Sequence, residues 1–158
     1  MNKKTRGVRN NNPGNVRKNG QKWQGMRPYQ YDVKFIQFKE MVWGVRALLV
    51  TLRTYITRRG CTTVPKIINR WAPKTDGNNT DFYIKACALA VGMAVTNSTD
   101  LNEQVAAGMN YEFSRKDFDI FDENYEKLTL YQLASSMCWI ESNYDLCYSM
   151  FYNAIKKM

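Results

Sequence analysis

Residues 40–60 show a long run of helical periodicity, and this run decides the fold class more than any other part of the chain. Their sequence is EMVWGVRALLVTLRTYITRRG. Apolar residues recur there at spacings of three and four, which places them on one face of an amphipathic helix of about five turns. They are Val42, Val45, Leu48, Leu49, Leu52, Tyr55 and Ile56. Arg58 and Arg59 suit the C-terminal end of this helix, and Gly60 ends it.

The same spacing continues through the rest of the chain and predicts a mainly helical protein. Further helices are expected from a cap at Thr62 or Thr63 to about Trp71, from Asn79 or Thr80 to Gly92, near 101–108, over about 127–142 and over 145–156. Pro65 falls in the first turn of its helix, where proline is tolerated. The pattern therefore predicts several helices that share one core.

Residues 1–40 have a different character, because they are polar, basic and rich in turn signals. Asn-Pro-Gly-Asn at 12–15 favours a turn. Four apolar or aromatic residues then alternate with other residues, which favours a strand. They are Tyr29, Tyr31, Val33 and Phe35. We therefore expect a mainly α (α+β) protein with a single domain over 1–158, composed of a small β-rich basic lobe at 1–40 and a helical part at 41–158.

Positive charge is concentrated in the first half of the chain. The net charge is +9, but residues 1–75 carry 17 Lys and Arg against two acidic residues, whereas residues 76–158 carry six against 12. A basic half of this kind favours a polyanionic partner. Nucleic acid and an anionic cell wall both fit, and charge alone does not separate them.

Composition excludes several kinds of chemistry. The chain has no histidine, which excludes Ser-His and Cys-His catalysis and the usual zinc sites. It has no glycine motif for phosphate binding, and we expect neither a metal nor another cofactor. Cys61, Cys87, Cys138 and Cys147 are scattered on helical patterns and are expected to be reduced and buried. An enzyme built on this chain must therefore use carboxylates, hydroxyls, amides or lysines.

Segments that address a protein to a membrane are not evident. The chain has no run of about 18 apolar residues, so we expect no transmembrane helix and no membrane partner. Its start, MNKKTRG, leads into asparagines rather than an apolar stretch, so we expect no signal peptide. Another route would have to release the protein from its producing cell.

Glu141 is the carboxylate best suited to acid catalysis. It continues the apolar stripe of Leu130, Ala134 and Met137, and it lies near a helix C-terminus, where the dipole disfavours negative charge. Both effects favour a protonated carboxyl that can donate to a glycosidic oxygen. The alternative is a boundary glutamate that ends the stripe. Glu40, the other candidate, is better explained as a favourable charge at a helix start.

Three residues of the basic lobe are candidates for ligand contact. Arg9 and Arg17 either bind phosphates or wall carboxylates or form a solvated basic face. Trp23 follows a turn signal in this polar region and is the tryptophan most suited to exposed stacking on a sugar or base. Core packing is the preferred interpretation for Trp43 and Trp71.

Several segments together resemble a known family. RGVRNNNPGNVR, KWQG, FIQF, WGVRALLVTLRTY, TTVPKIINRWAP, NNTDFYIKACALAVG and LASSMCWIES occur in this order. The combination is similar to a family of bacteriophage and prophage proteins usually labelled virion structural proteins. That family implies a lysozyme-like fold, with several helices around a glutamate-bearing helix, and action on peptidoglycan. The resemblance covers residues 6–92 and about 128–155, and residues 98–127 look like an insertion.

A second resemblance concerns the flagellar and autolysin type of N-acetylglucosaminidase and the lytic transglycosylases, with the segments in permuted order. QLASSMCWIESNY resembles their AQ…ESxxG glutamate helix, which implies that Glu141 is catalytic. This chain has IESN where the virion family tends to carry HENG. In that architecture an asparagine-rich lobe faces the glutamate helix across a glycan groove. The sugar-binding residues implied are Arg9, Asn10, Asn11, Asn12, Asn15 and Arg17. Alternatively, Asn10 to Asn12 satisfy buried backbone groups and cap the turn.

These resemblances imply a phage-derived peptidoglycan glycosidase, of the lytic transglycosylase or muramidase type, with Glu141 as its single catalytic glutamate. We expect peptidoglycan glycan strands, and also other virion proteins, as partners. The protein would be made in the host cytoplasm and be virion-associated or released by lysis. A non-catalytic virion structural or wall-binding protein is the alternative. A nucleic-acid binder is the second alternative, although no helix-turn-helix, RRM or OB signature stands out.

Overall fold

The computed structural model describes residues 3–119 and 125–158, and this part of the chain is mainly helical, as predicted. The α-helices are α1 (Arg6–Arg9), α2 (Met41–Arg58), α3 (Val64–Trp71), α4 (Thr80–Val95), α5 (Leu101–Asn110), α6 (Thr129–Ser142) and α7 (Tyr148–Lys156). Short 3-10 turns lie at Lys74–Asp76, Arg115–Phe118 and Tyr125–Lys127. Within the described residues, none of the helices combines the length and hydrophobicity that a bilayer crossing requires. Part of the expected insertion at 98–127 lies outside the described residues.

Local signals explain why α2 and α3 form where the sequence predicts them. α2 ends before Gly60, whose left-handed φ of 68° lets the Cys61 N–H reach the carbonyl of Tyr55 at 3.0 Å. α3 begins after Thr63, whose side chain accepts the N–H of Lys66. These caps satisfy backbone groups that have no partner inside the helices.

Gly92 does not end α4, which continues to Val95. A Cβ at Gly92 would lie 1.7 Å from the carbonyl oxygen of Gln104, and a Cβ at Gly108 would lie 1.7 Å from that of Ala88. The two glycines therefore allow the backbones of α4 and α5 to pack in direct contact. The prediction that Gly92 ends the helix is wrong, because this glycine serves helix packing rather than chain reversal.

The chain divides into two compact units. The first consists of Met1–Thr51 and Met137–Met158, and the second of Leu52–Ser136. Large buried side chains of the first unit are Ile36, Phe38, Leu48, Met137 and Phe151. Those of the second unit are Leu52, Ile67, Ile68, Phe113, Leu130 and Leu133. The expectation of a single domain over 1–158 stays a prediction.

The basic segment before α2 consists of α1, turns and irregular backbone. No β-strand is present in the parts of the chain that the structure describes, but two isolated antiparallel bridges are, Arg17 with Phe35 and Met26 with Phe38. The strand predicted over 29–35 is therefore wrong. The small β-rich lobe expected at the N-terminus is not shown beyond these two bridges.

Side chains, rather than a neighbouring strand, accept hydrogen bonds from several backbone N–H groups of this segment. The Asp32 carboxylate accepts the N–H groups of Lys34 and Phe35, both at 2.9 Å. Oε1 of Gln37 accepts the N–H of Tyr31 at 2.7 Å. A turn capped in this way uses the donors that a strand would offer to its neighbour. The alternating pattern was misleading because it did not account for these side-chain acceptors.

All four cysteines are free thiols. The expectation of burial is confirmed for Cys87 and Cys138, whereas Cys61 is only half-buried and the expectation is wrong for Cys147, which is exposed. Cys147 precedes α7, and its pKa is lowered first by the hydrogen bond with the Ser149 hydroxyl and then by the Met150 N–H. The exposed position at a helix start, not the apolar pattern, sets its environment.

Candidate functional site

Glu141 lies in the last turn of α6 and is half-buried. The residues before it on the same stripe, Leu130, Ala134 and Met137, are buried, so this part of the prediction is confirmed. The stripe reaches the surface at Glu141. Glu141 is therefore neither fully buried nor fully exposed.

The end of α6 is fixed by a left-handed cap. Asn143 has a φ of 53°, and its N–H bonds to the carbonyl of Trp139 at 2.9 Å. The next N–H, that of Tyr144, bonds to the carbonyl of Cys138 at 3.2 Å. An asparagine in this conformation is a common way to end a helix and to satisfy its last carbonyls. The cap holds the turn that carries Glu141 in a defined position.

The asparagine-rich loop at 6–17 contributes Asn15 to the same place. Its Nδ2 donates to Oε1 of Glu141 at 3.2 Å and to the Glu141 backbone carbonyl at 3.1 Å. Asn15 has a left-handed φ of 52°, which asparagine tolerates better than most residues. Two residues that the sequence separates by 126 positions are thus in direct contact.

A second contact joins α1 to the end of α6. The Thr5 hydroxyl donates to the carbonyl of Ser142 at 2.6 Å, and it also accepts the N–H of Val8 as the cap of α1. Gly7 makes room for this contact, because a Cβ there would lie 1.8 Å from the Ser142 Oγ. Among the described residues, neither Ser142 Oγ nor Asn15 Oδ1 has a hydrogen-bond partner, although both are buried. Two buried polar atoms next to Glu141 thus lack a hydrogen-bond partner among the described residues, which is uncommon in protein interiors.

Two of the other asparagines bind the protein's own backbone. Asn12 is fully buried, and its Nδ2 donates to the carbonyls of Val16 and Ile36, both at 2.9 Å, while its Oδ1 accepts the Val16 N–H at 2.9 Å. Asn11 has a φ of 51° and donates to the carbonyl of Phe38 at 3.1 Å. These bonds support the interpretation that Asn11 and Asn12 satisfy backbone groups rather than contact a sugar.

Asn10 belongs to a network around Asp32. Arg6 donates from Nε and Nη2 to the Asp32 carboxylate, both at 2.7 Å, and Asn10 Nδ2 donates to it at 2.9 Å. The pairing with Arg6 holds the pKa of Asp32 far below its ordinary value, and bonds from Phe35, Asn10 and Lys34 add to this effect, which outweighs burial. An ionised Asp32 therefore ties α1 to the turn before Phe35.

The two arginines predicted to bind a ligand are exposed. The Arg9 guanidinium donates to the carbonyl of Lys4 at 2.7 Å. The Arg17 guanidinium lies 5.9 Å from the centre of the Phe35 ring, within the range of a cation–π contact. Both side chains are accessible to an anionic ligand, so both interpretations of these residues remain open.

Trp23 does not provide the exposed platform that we expected. Trp23 is only 9% exposed, so it is essentially buried. The exposed tryptophan is Trp139, at 56%, two residues before Glu141 on α6. The exposure of Trp139 could be predicted from helical periodicity, because position 139 lies outside the apolar stripe that ends at Glu141.

The thiol of Cys138, three residues before Glu141 on α6, is not suited to catalysis. Burial, and next the charge of Glu141, raise the pKa of Cys138 well above its ordinary value, so this thiol stays protonated. In the residues that the structure describes, no group of three or more Cys, Asp or Glu side chains could hold a metal ion. The Glu141 carboxyl is therefore the candidate functional group at this place.

Comparison with known proteins gives one informative similarity. No family model matches the chain. The chain is 36% identical over 107 residues to Protein P5 of Pseudoalteromonas phage PM2, a match that covers 66% of this chain and 65% of that protein. The chain is therefore similar to a bacteriophage protein, and it spans somewhat less than two thirds of that relative.

Proposed function

We propose that this chain is a phage virion-associated glycosidase of peptidoglycan, of the lytic transglycosylase or muramidase type, with Glu141 as its proton donor. The observation that carries the proposal is the contact of Asn15 with the Glu141 carboxylate and carbonyl, at 3.2 and 3.1 Å. It joins the asparagine-rich loop to a half-buried carboxyl. The similarity to a phage protein supports the association with a phage particle.

The chemistry needs one carboxyl from the protein. Glu141 donates its proton to the bridging oxygen as the bond between that oxygen and the sugar C1 breaks. The substrate's own acetamido oxygen or 6-hydroxyl then attacks C1. In the second case the Glu141 carboxylate takes the proton of the 6-hydroxyl, which leaves an anhydro-sugar. In the first case water then attacks C1, the bond between C1 and the acetamido oxygen breaks, and the Glu141 carboxylate takes a proton from the water, so the product has a reducing end.

The other carboxylates of the first unit are less suited to a second catalytic role. The Asp32 carboxylate accepts hydrogen bonds from Nε and Nη2 of Arg6, which keep it ionised and occupy both of its oxygens. Glu40, the residue before α2, is exposed, and so is Asp145. These placements favour a scheme in which the substrate supplies the second reacting group. Asn15 keeps the Glu141 carboxyl oriented, since its amide is bonded to both the side chain and the backbone of that residue.

The test is the release of soluble muropeptides from purified sacculi, measured by mass spectrometry. Wild type is compared with Glu141→Gln and with Glu40→Gln, a matched change at an exposed glutamate of the same unit. We expect release by wild type and Glu40→Gln, and loss of release with Glu141→Gln at an unchanged melting temperature. Anhydro-sugar products would identify a transglycosylase, and reducing ends a muramidase. Release that persists in Glu141→Gln would overturn the assignment.

A non-catalytic wall-binding protein is the second candidate, favoured by the exposed Arg9 and Arg17 and by the use of Asn11 and Asn12 on backbone. This function predicts that sacculi retain the protein without releasing muropeptides, and that Glu141→Gln binds as well as wild type. Retention should weaken in the double variant Arg9→Gln, Arg17→Gln. Failure of wild type to sediment with sacculi would exclude this candidate.

A further inference from the structure

The first unit exposes an apolar and aromatic surface that the proposed catalytic function does not use. We call residues 29–34 the tyrosine loop. Tyr31 is 83% exposed and Val33 is 86% exposed, and Tyr29 is similarly open to solvent. The rings of Tyr29 and Tyr31 stack, with centroids 6.3 Å apart and an interplanar angle of 29°. Three large side chains thus project from one short loop.

Hydrogen bonds hold the tyrosine loop in a single conformation. Asp32 accepts the N–H of Lys34, and Gln37 accepts the N–H of Tyr31 at 2.7 Å. Gln30 Nε2 donates to the carbonyl of Gln37 at 2.7 Å, and Gln30 Oε1 accepts the Gln37 N–H at 2.7 Å. The exposed side chains are therefore presented by a fixed backbone, which lowers the entropy lost when they bind a partner.

Cations flank the tyrosine loop. Arg6 and Arg17 lie 4.7 and 5.9 Å from the centre of the Phe35 ring, which directly follows the loop. The N–H of Lys18 bonds to the carbonyl of Lys34 at 2.9 Å, which places a second lysine beside the loop. Asp32, the acidic residue of the loop, is neutralised by Arg6. Arg17, Lys18 and Lys34 remain, so the surroundings of the exposed side chains are positively charged.

We propose that the tyrosine loop binds the surface of a bilayer that contains anionic lipids. Tyrosine favours the membrane–water interface, and lysines beside it bind anionic headgroups. The exposed aliphatic side chain of Val33 favours a lipid surface over the other polyanions, nucleic acid and cell-wall glycan. A nucleic acid or a glycan gains from ring faces and cations, whereas an exposed aliphatic side chain gains from contact with acyl chains. Our expectation of no membrane partner came from the lack of a spanning segment, and a loop that binds at the surface needs none.

The test is cosedimentation of the full chain with vesicles of phosphatidylcholine alone or mixed equally with phosphatidylglycerol. We expect binding to the mixed vesicles that weakens with salt. Val33→Ser should weaken it about tenfold, the loss expected for one exposed aliphatic side chain that becomes buried. Lys34→Gln should weaken it about fivefold, the loss expected for one cation near the surface. Phe82→Ser and Lys66→Gln are the matched controls, because both residues are exposed in the second unit.

The outcomes separate this proposal from the catalytic one. Vesicle binding that is lost in Val33→Ser, while muropeptide release from sacculi is kept, supports a separate lipid surface. Absence of binding to the mixed vesicles, or equal losses in the Phe82 and Val33 variants, would overturn it. A third outcome is that wild type does not bind vesicles but binds single-stranded DNA or sacculi, and that Val33→Ser abolishes this binding. That outcome would assign the loop to the polymer that is bound. The binding of vesicles by wild type and by the variants does not depend on whether Glu141 is catalytic.

Discussion

Replacing Asn12 with alanine should destabilise the first unit by about 4 kcal/mol, because two buried backbone groups lose their partners at about 2 kcal/mol each. The groups are the Val16 N–H and the Ile36 carbonyl, each 2.9 Å from the Asn12 amide. The Val16 carbonyl is less affected, because it also accepts the Ile36 N–H at 3.1 Å. A loss of this size is a large part of the stability of an ordinary domain.

Urea unfolding, followed by circular dichroism and tryptophan fluorescence, measures this loss. With a slope of about 2 kcal/mol per M, the midpoint of Asn12→Ala should fall by about 2 M. The matched control is Asn19→Ala, since Asn19 is exposed and accepts the Gln21 N–H in an open turn. Its effect should stay within about 0.5 kcal/mol. A midpoint for Asn12→Ala close to that of the control would refute the interpretation that Asn12 serves the backbone.

Asn12→Asp adds a pH dependence with a definite sign. The new carboxyl would face the carbonyl oxygens of Val16 and Ile36, which disfavours its charged form, so its pKa would be raised on folding. The folded variant would then bind more protons than the unfolded chain, and its stability would fall as pH rises above about 4. The difference in melting temperature from wild type should therefore widen from acidic to neutral pH, and a constant difference would contradict the geometry.

Three further predictions follow from other contacts. Asp32 has a lowered pKa in the folded state because Arg6 pairs with it, so its contribution to stability is complete above its unfolded pKa of about 4 and is lost as pH falls. Melting temperatures of wild type and Asp32→Asn should therefore converge on acidification, and parallel curves would contradict this. Gly108→Ala should lower the free energy of unfolding by several kcal/mol, because its Cβ would lie 1.7 Å from the Ala88 oxygen. The control is Gly77→Ala, which adds only the left-handed strain of ~1 kcal/mol, because no atom lies near its Cβ. Equal melting temperatures of the two variants would exclude the close approach of α4 and α5. Asn15→Gly keeps the left-handed backbone but removes the amide at Glu141, and it should lower muropeptide release about tenfold or more. Unchanged release would remove Asn15 from the site.

Helical periodicity and local caps predicted most of the fold. The stripe through Leu130, Ala134 and Met137 and the caps at Thr63 and Gly60 depend on residues a few positions apart, and local spacing captures these. The segment before α2 was not predictable in this way. Its backbone is held by side chains that come from up to 28 positions away, and no periodicity describes such contacts.

The candidate site was predictable only in part, because local spacing identifies residues on one helix but not contacts between distant segments. Glu141 could be selected from its stripe, but its contact with Asn15 depends on tertiary structure. Trp23 was misplaced because a turn signal and a polar neighbourhood were taken to mean exposure. A tryptophan carries a large apolar surface whose burial is favourable, so a polar neighbourhood in the sequence does not imply exposure. The exposure of Trp139 follows from its position on α6 and could have been predicted.

The first unit is assembled from segments that are far apart in the chain. Thr5 bonds to Ser142, Asn15 to Glu141, and Arg46 to the carbonyl of Lys157. Leu52–Ser136, in contrast, form one continuous stretch. During synthesis the contacts within this stretch can form before Met137–Met158 are made, whereas the contacts of Thr5 and Asn15 with α6 must wait for them. The asparagine-rich loop is therefore made well before its partner residues on α6, and the Asn15–Glu141 contact can form only after α6 has been made.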